Sequence, residues 1–468
     1  MVKKLIITLL VAVMSVSTLY GCSSKKQDTQ GDKTAGTTEA QAGVNKGTAS
    51  NLRFIDVSPS PKRQEYFEKT FGTFKDSTGI TVGYESVPWD EAANKLTVLG
   101  SSKQLPDVMT TWAGWLGQYT AAKWVLPIDK YIEGTEDQYT NVVTDIVWKS
   151  ERQLYGATYT VPDGMMVKGV FVRKDWAQEA GISLDPDKGW TYDEYFDVVK
   201  KLTDASRKHY GTSYRGARGA FDPLLVYLES FNGGSLYAQD GSILINSDEC
   251  LEGFKRWTGL YLNGYAPKDA INWGFTEMVD NFAGGLTGTL INDSEVAATL
   301  QTNMKPEQWM VMPMPKSTKD GKIYNTVNSP YAYTISGDAK DPDSAWKLIE
   351  FFTQPDNNIE YCKMGGLIPI KKDVADDPTY GTEGPYSAFV KQLNNPDLVV
   401  PVSYGPFEYT DMHQGMLHEE VQKYLLGSQD AKTSLGNISK ELEARMKKYL
   451  ADNPGFTVEA PKSLSASK

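Results

Sequence analysis

The sequence predicts an α/β protein that begins with a mostly parallel sheet, because strand-like and helix-like stretches alternate three times after residue 50. The predicted strands are 51–58, 80–87 and 107–112, and the predicted helices are 61–78, a stretch from Pro88 onward, and 113–124. Parallel strands need a long connection between them, and a helix is the usual one.

The first helix has the clearest signals at both ends. Phe67, Phe71 and Phe74 recur at helical spacing, and Gly79 stands where a helix often ends in a left-handed glycine. Pro88 opens the second helical stretch, as proline often does in a first turn. These residues mark the ends of helices and therefore support the alternation of strands and helices.

The middle and end of the chain predict further units. Two strand-like runs flank Pro162-Asp163-Gly164, and a mostly helical unit is predicted over 166–282. The chain then returns to strand at 282–293 and 331–336, and it is helical from Asp341 onward. With 468 residues, two or more globular bodies are expected.

The N-terminus has the pattern of an exported, anchored protein. Lys3 and Lys4 precede an apolar run, 5–19, and the run ends in Leu19-Tyr20-Gly21-Cys22, which resembles the lipobox of bacterial lipoproteins. We therefore expect a signal peptide at 1–21 and a lipid on Cys22, which would place the protein at the extracellular or periplasmic face of the cell membrane. The alternative is a signal peptide that is cut elsewhere, with Cys22 incidental.

Residues 22–50 predict a disordered tether, because polar and small residues leave almost nothing to bury. Residues 461–468 are expected to form a flexible tail. The formal charge is −11, and removal of the two lysines in the leader makes it −13. A body this acidic is a poor partner for nucleic acid or for anionic lipid.

Several stretches resemble the sugar-type extracellular solute-binding proteins of bacterial ABC importers, the maltose-binding-like group. They are FEKTFGTFKDSTGITV, LPDVMTTWAGWLGQYTAAKWVLPIDKYI, LYGATYTVPDGMMVKGVFVRKDW and DPDSAWKLIEFFTQPDNNIEYCKMGGLIPIKKD. The resemblance implies two α/β lobes joined by hinge strands near 159–165, 281–291 and 327–334, with a ligand cleft between them. It assigns 51–161 plus 284–330 to an N-terminal lobe, and 162–283 plus 331–460 to a C-terminal lobe.

The resemblance also implies ligand-binding residues. Trp112 ends the third strand, where the family often places an aromatic residue on sugar, and Trp115 lies one helical turn on. Asp163 lies in the first crossing, and Asn292 and Asp293 follow the second. Each has a structural alternative: a core indole, a turn-forming aspartate, or a helix cap.

Weaker ligand-binding candidates complete the set. They are Tyr331 on the third crossing, Phe221 and Asp222 before a helix, and Trp273 and Glu408 as further cleft residues.

The sequence predicts no cofactor and no metal. The glycines at 284–288 lack the lysine of a phosphate-binding loop, and Asp185-Pro186-Asp187 is an incomplete calcium loop. His413 and His418 are five residues apart rather than four. Cys250 and Cys362 lie in helical patterns, so a disulfide between them is not expected.

The predicted function follows from the resemblance: a monomeric, lipid-anchored receptor that captures a carbohydrate, an oligosaccharide, and delivers it to an ABC permease by closing its lobes. It would not be an enzyme. The alternatives are a binding protein for another small solute, and a secreted carbohydrate-active enzyme that uses paired carboxylates, with Asp163, Asp293 and Glu408 as candidates.

Overall fold

The computed structural model describes residues 51–217, 219–329, 331–372, 377–381, 386–401 and 415–463. The predicted signal peptide, Cys22, the tether and Glu408 lie outside them. Within these ranges no helix has the length and apolar character needed to cross a bilayer.

The first helix, α1, occupies the predicted residues Pro61–Thr78. The side chain of Ser60 caps its start by accepting a hydrogen bond from the Arg63 amide at 3.2 Å. Gly79 ends it in the left-handed region, at φ 75°. Side chains spaced three and four apart, Phe67 and Phe71 among them, form its buried face.

Sixteen α-helices are described in these ranges. They are α1 (Pro61–Thr78), α2 (Trp89–Ser101), α3 (Leu116–Ala121), α4 (Asp129–Ile132), α5 (Lys149–Tyr155), α6 (Lys174–Glu179), α7 (Tyr192–Leu202), α8 (Phe221–Glu229), α9 (Asp248–Leu262), α10 (Phe275–Ala283), α11 (Val296–Asn303), α12 (Pro342–Phe352), α13 (Pro355–Gly365), α14 (Ser387–Leu393), α15 (Leu417–Leu425) and α16 (Ala431–Asp452). A π-helix, Val142–Trp148, precedes α5.

The strands of the same ranges are β1 (Asn51–Asp56), β2 (Thr81–Ser86), β3 (Val108–Thr111), β4 (Val161–Pro162), β5 (Met166–Arg173), β6 (Thr289–Asp293), β7 (Trp309–Met312), β8 (Ile323–Tyr324), β9 (Val327–Asn328), β10 (Ala332–Ile335), β11 (Leu398–Val400) and β12 (Lys462–Ser463).

Two main sheets organise the chain. The first has the order β2-β1-β3-β10-β4, in which β1 runs parallel to β2 and β3. The second is built around β5, which pairs antiparallel with β6, β7 and β9. The parallel pairing predicted for the first three strands is therefore confirmed, whereas the described strands of the second sheet pair antiparallel.

The chain passes between the sheets at two neighbouring points. One lies between β4 and β5, and the other between β9 and β10. The amide of Asp163 in the first passage donates to the carbonyl of Tyr331 in the second, at 3.1 Å. A third passage follows α13, because α12 packs on β10 whereas α14 packs on β5.

Strand pairing corrects the assignment of segments to lobes. Residues 284–330 were expected in the N-terminal lobe, but Thr289–Asp293 pairs with β5 in the second sheet. Residues 331–460 were expected in the C-terminal lobe, but Ala332–Ile335 pairs with β3 in the first. The expected crossing at 281–291 is likewise wrong. An apolar strand pattern shows that a strand exists, but both sheets accept such strands, so the pattern does not select between them.

Candidate functional site

Trp112 lies at the carboxyl end of β3, where the first sheet runs out. Its backbone is extended, and a short 3-10 helix, Ala113–Trp115, begins directly after it. The side chain is half-buried. Its indole lies over Gly114, since a Cβ there would come within 2.0 Å of the ring. Glycine at this position therefore leaves room for the indole.

Four rings form what we call the aromatic set: Trp89, Trp112, Trp115 and Tyr331. Trp89 stacks on Trp115 with ring centroids 4.8 Å apart and an interplanar angle of 20°. Trp112 meets both of these indoles edge to face, at 5.9 and 6.2 Å. Tyr331 meets Trp89 edge to face at 5.5 Å. The set brings together the ends of two strands and one passage between the sheets.

The members of the aromatic set differ in exposure. Trp115 retains 8% of its accessible surface and packs in a core cluster with Leu116 and Tyr119. Trp89, Trp112 and Tyr331 are only partly buried. Trp115 thus belongs to the core beneath the other rings, whereas part of the Trp112 ring remains exposed to solvent.

The guanidinium group of Arg63 packs against the ring of Tyr331. It lies 5.2 Å from the centre of the Tyr331 ring, a cation–π distance. It also pairs with Asp56 through two hydrogen bonds of 2.7 and 3.1 Å, in the bidentate geometry that suits arginine. Asp56 ends β1 and is fully buried, so the loop after β1, the first turn of α1 and a passage between the sheets are fixed together.

Asp163 is buried at the first passage and does not face open solvent. It accepts a hydrogen bond from the Tyr361 hydroxyl, and its carboxylate lies 3.8 Å from the Arg63 guanidinium. Its Oδ1 has no hydrogen-bond partner among the described residues. Burial raises the pKa of Asp163 to about 7, against the opposing attraction of Arg63.

A group of charged side chains lies beside strands β5 and β6 of the second sheet. Lys168 on β5 pairs with Asp293 on β6 at 2.8 Å, and both side chains are largely buried. Asp222, at the start of α8, and Arg215 lie close enough to act electrostatically on Lys168. Glu295 completes this charged set, and burial raises its pKa to about 7, with Asp293 adding to the effect.

The two sets adjoin through Tyr331 and Glu295. The carboxyl group of Glu295 is among the charges that act on the Tyr331 hydroxyl, which also hydrogen-bonds to Ser58. Burial is the main reason that the pKa of Tyr331 is raised. The aromatic set of the first sheet and the charged set of the second therefore form adjoining walls.

The remaining predicted residues take different places. Asn292 is buried beside the charged set, and Phe221 is a buried residue of α8. Trp273 is buried, its indole nitrogen donates to Asp269 at 3.2 Å, and its carbonyl accepts from the amide of Ala217 at 3.1 Å.

Sequence reasoning missed Trp89, Arg63, Lys168, Arg215 and Glu295. Trp89 carried a usable signal, because it follows the end of β2 just as Trp112 follows β3. Lys168 could not be recognised, since its role depends on the register that sets it opposite Asp293.

Comparison with known proteins places this geometry in a known fold. The sugar-binding protein MalE of Xanthomonas citri has a similar structure, with a TM-score of 0.72 and 18% identity, covering 87% of this chain and all of that one. The chain thus has the two-lobed α/β fold of periplasmic sugar-binding proteins.

Relatives are also similar in sequence. A protein of Brucella abortus, provisionally named a binding protein, is 23% identical over 86% of this chain and 94% of its own length. The erythritol/L-threitol-binding protein of Mycolicibacterium smegmatis is 22% identical over 71% of this chain and 72% of its own length. The family model for bacterial extracellular solute-binding proteins matches residues 69–385, about two thirds of the chain. The protein therefore belongs to the bacterial extracellular solute-binding proteins.

Proposed function

We propose that the protein is the lipid-anchored receptor of an ABC importer. It captures a carbohydrate of oligosaccharide size between its two lobes, closes on it, and delivers it to a membrane permease. Cys22 carries the anchor, and the body stands at the extracellular or periplasmic face.

The aromatic set is the observation that carries this proposal. Sugar rings have flat faces of C–H groups, which pack on aromatic planes, and rims of hydroxyl groups, which need polar partners. Trp112 offers a partly exposed indole at a strand end. The adjoining charged set offers carboxylates and cations for the hydroxyl groups.

The size of the ligand is a separate point. One relative is named for the four-carbon polyols erythritol and threitol, and a structural neighbour is named as a sugar-binding protein. We favour an oligosaccharide because its sugar rings can stack on the indole of Trp112, whereas a short open-chain polyol has no flat ring face.

A hydrolase fits the geometry less well. Glycosidases need two carboxyl groups that flank the scissile bond. Asp163 is fully buried and already engaged with Tyr361 and Arg63. Asp293 is neutralised by Lys168 at 2.8 Å. Neither carboxylate is placed as a free acid or nucleophile.

The test is a binding panel of erythritol, mannitol, glucose, maltose and maltotriose, read by thermal shift and calorimetry. A ligand that binds only the folded state raises the melting temperature. We expect maltotriose or maltose to give the largest shift, with saturable heat and no product. A panel in which no carbohydrate binds, or in which product accumulates, would contradict the proposal.

A pair of tryptophan variants links the binding to the aromatic set. Trp112→Ala should weaken binding at least tenfold, which is about 1.4 kcal/mol. The matched control is Trp346→Ala, another partly buried indole, which stacks on Tyr131 at 5.0 Å outside the aromatic set. The control should bind as the wild type does. Equal binding by both variants would remove Trp112 from the site.

A further inference from the structure

A cavity lies beside the charged set, against strands β5 and β6 of the second sheet. Its lining includes Lys168, Tyr214, Arg215, Asp222, Trp257 and Asn292. Aromatic and apolar side chains from α7, α9 and α10 form one part of this lining, and polar side chains form the rest. This composition is typical of a small-molecule site.

Two polar groups in the lining lack a hydrogen-bond partner among the residues that the structure describes: the hydroxyl group of Tyr214 and the amide nitrogen of Asn292. Both residues are 5% exposed. Burial also raises the pKa of Tyr214, so its hydroxyl stays protonated and can donate. Leaving such groups unpaired costs roughly 1–3 kcal/mol each, and a hydroxyl-bearing ligand would satisfy them.

Charges of both signs lie beside the cavity. The cations Lys168 and Arg215 lie among the carboxyl groups of Asp222, Asp293 and Glu295. A charged ligand group would compete with these buried pairs for a counter-charge, which is costly. A neutral group with hydroxyls avoids that cost.

The cavity adjoins the charged set. Lys168 lines the cavity and pairs with Asp293 at 2.8 Å. Glu295, two residues after Asp293, acts electrostatically on Tyr331 of the aromatic set. A ligand stacked on Trp112 could therefore extend toward the cavity along these residues.

We propose that this cavity is a specificity subsite that receives an uncharged, hydroxyl-bearing end of the bound carbohydrate, held by the Tyr214 hydroxyl and the Asn292 amide. The inference rests on the proposed function and adds which end of the site selects the ligand. Stacking of a sugar ring on the aromatic set contributes affinity. Hydrogen bonds in the cavity select for the hydroxyl groups at the end of the carbohydrate that enters it.

Tyr214→Phe tests the subsite with one atom removed. The control is Tyr192→Phe, a buried tyrosine of α7 in the same lobe whose hydroxyl likewise lacks a described partner but does not line the cavity. Without ligand, both variants should melt at or slightly above the wild-type temperature, because neither loses a hydrogen bond to another described residue. Calorimetry with maltotriose, mannitol and any other panel member that binds should show about tenfold weaker binding for Tyr214→Phe only.

A second variant tests the other unpaired polar group of the cavity, the amide of Asn292. Asn292→Asp keeps the oxygen that accepts a hydrogen bond from the Asp293 amide at 2.8 Å and replaces the unpaired NH₂ group with a carboxylate oxygen. We expect at least tenfold weaker binding of the same probes, with a folded protein in the absence of ligand.

The outcomes separate the two proposals. If Trp112→Ala loses binding while Tyr214→Phe and Asn292→Asp bind like the wild type, the subsite is overturned and the receptor function stands. If no panel carbohydrate binds the wild type, the proposed function and the subsite are both contradicted.

Discussion

Gly114 shows how one missing side chain leaves room for the indole of Trp112. A Cβ at this position would lie 2.0–2.5 Å from three ring atoms of Trp112, which is closer than atoms can pack. Gly114→Ala should therefore displace the indole and weaken carbohydrate binding about tenfold. Gly117→Ala is the control, since its Cβ would meet only Tyr155, at an ordinary 3.8 Å.

Calorimetry and the quenching of tryptophan fluorescence by the ligand would report this difference. Unchanged binding in Gly114→Ala would mean that the position of the Trp112 ring does not matter to the site.

The buried carboxyl group of Asp163 should make the stability of the protein depend on pH. Burial raises its pKa to about 7 in the folded state, whereas an unfolded aspartate has a pKa of about 3.9. Between these values the folded state holds a proton that the unfolded state has released. The contribution of Asp163 to stability therefore falls as pH rises from about 4 to 7, by up to about 1.4 kcal/mol per pH unit.

Asp163→Asn cannot lose this proton. Its free energy of unfolding should gain on that of the wild type as pH rises through this window, and the gap should level off above about pH 7. Denaturant titrations at several pH values measure it, with the exposed Glu65→Gln as a control. Parallel curves for wild type and Asp163→Asn would show that the carboxyl group does not titrate there.

Two glycines of helix α1 test where this helix ends. Gly72 is exposed in its interior with no atom within 4 Å of an added Cβ, so Gly72→Ala should stabilise the protein by about 0.5–1 kcal/mol. Gly79 caps the same helix at φ 75°, so Gly79→Ala should destabilise it by about 1 kcal/mol. Urea denaturation of both variants measures these opposite signs, and equal signs would contradict the assigned cap.

Local signals predicted elements better than they predicted pairing. The bounds of α1 follow from Pro61, the spacing of its phenylalanines and Gly79, all of which act within a few residues. The sheet that each strand joins depends on contacts far along the chain, such as Ala332 with Thr111. That information is absent from a local pattern, so 284–330 and the segment Ala332–Ile335 were assigned to the wrong lobe. The later helices of 331–460 pack on β5, α8 and α9, as expected.

The same limit applies to the site. Trp112 was named as a candidate because it ends a predicted strand, and Trp89 likewise follows the end of a strand. Asp163 was placed in the right passage, but its burial beneath Tyr361 depends on α13, about 200 residues away. Positions that combine distant segments need the fold before their surroundings can be stated.

We propose that the protein is attached to the membrane through Cys22. This cysteine follows the apolar run 5–19, and no helix in the described ranges could cross a membrane. If the lipid on Cys22 is the attachment, Cys22→Ser should release the protein from the membrane fraction, and blotting of the fractions would show it. Equal retention of wild type and variant would contradict a lipid anchor at Cys22.

We propose that the two lobes close on a carbohydrate held between the aromatic set and the charged set. The passages at Asp163 and Tyr331 lie side by side, which suits bending about a common axis. Small-angle X-ray scattering during titration with the panel member of highest affinity measures this closure. We expect the radius of gyration to fall saturably with ligand in the wild type, and to do so only at higher ligand concentration in Trp112→Ala. A radius that stays constant at saturating ligand would contradict it.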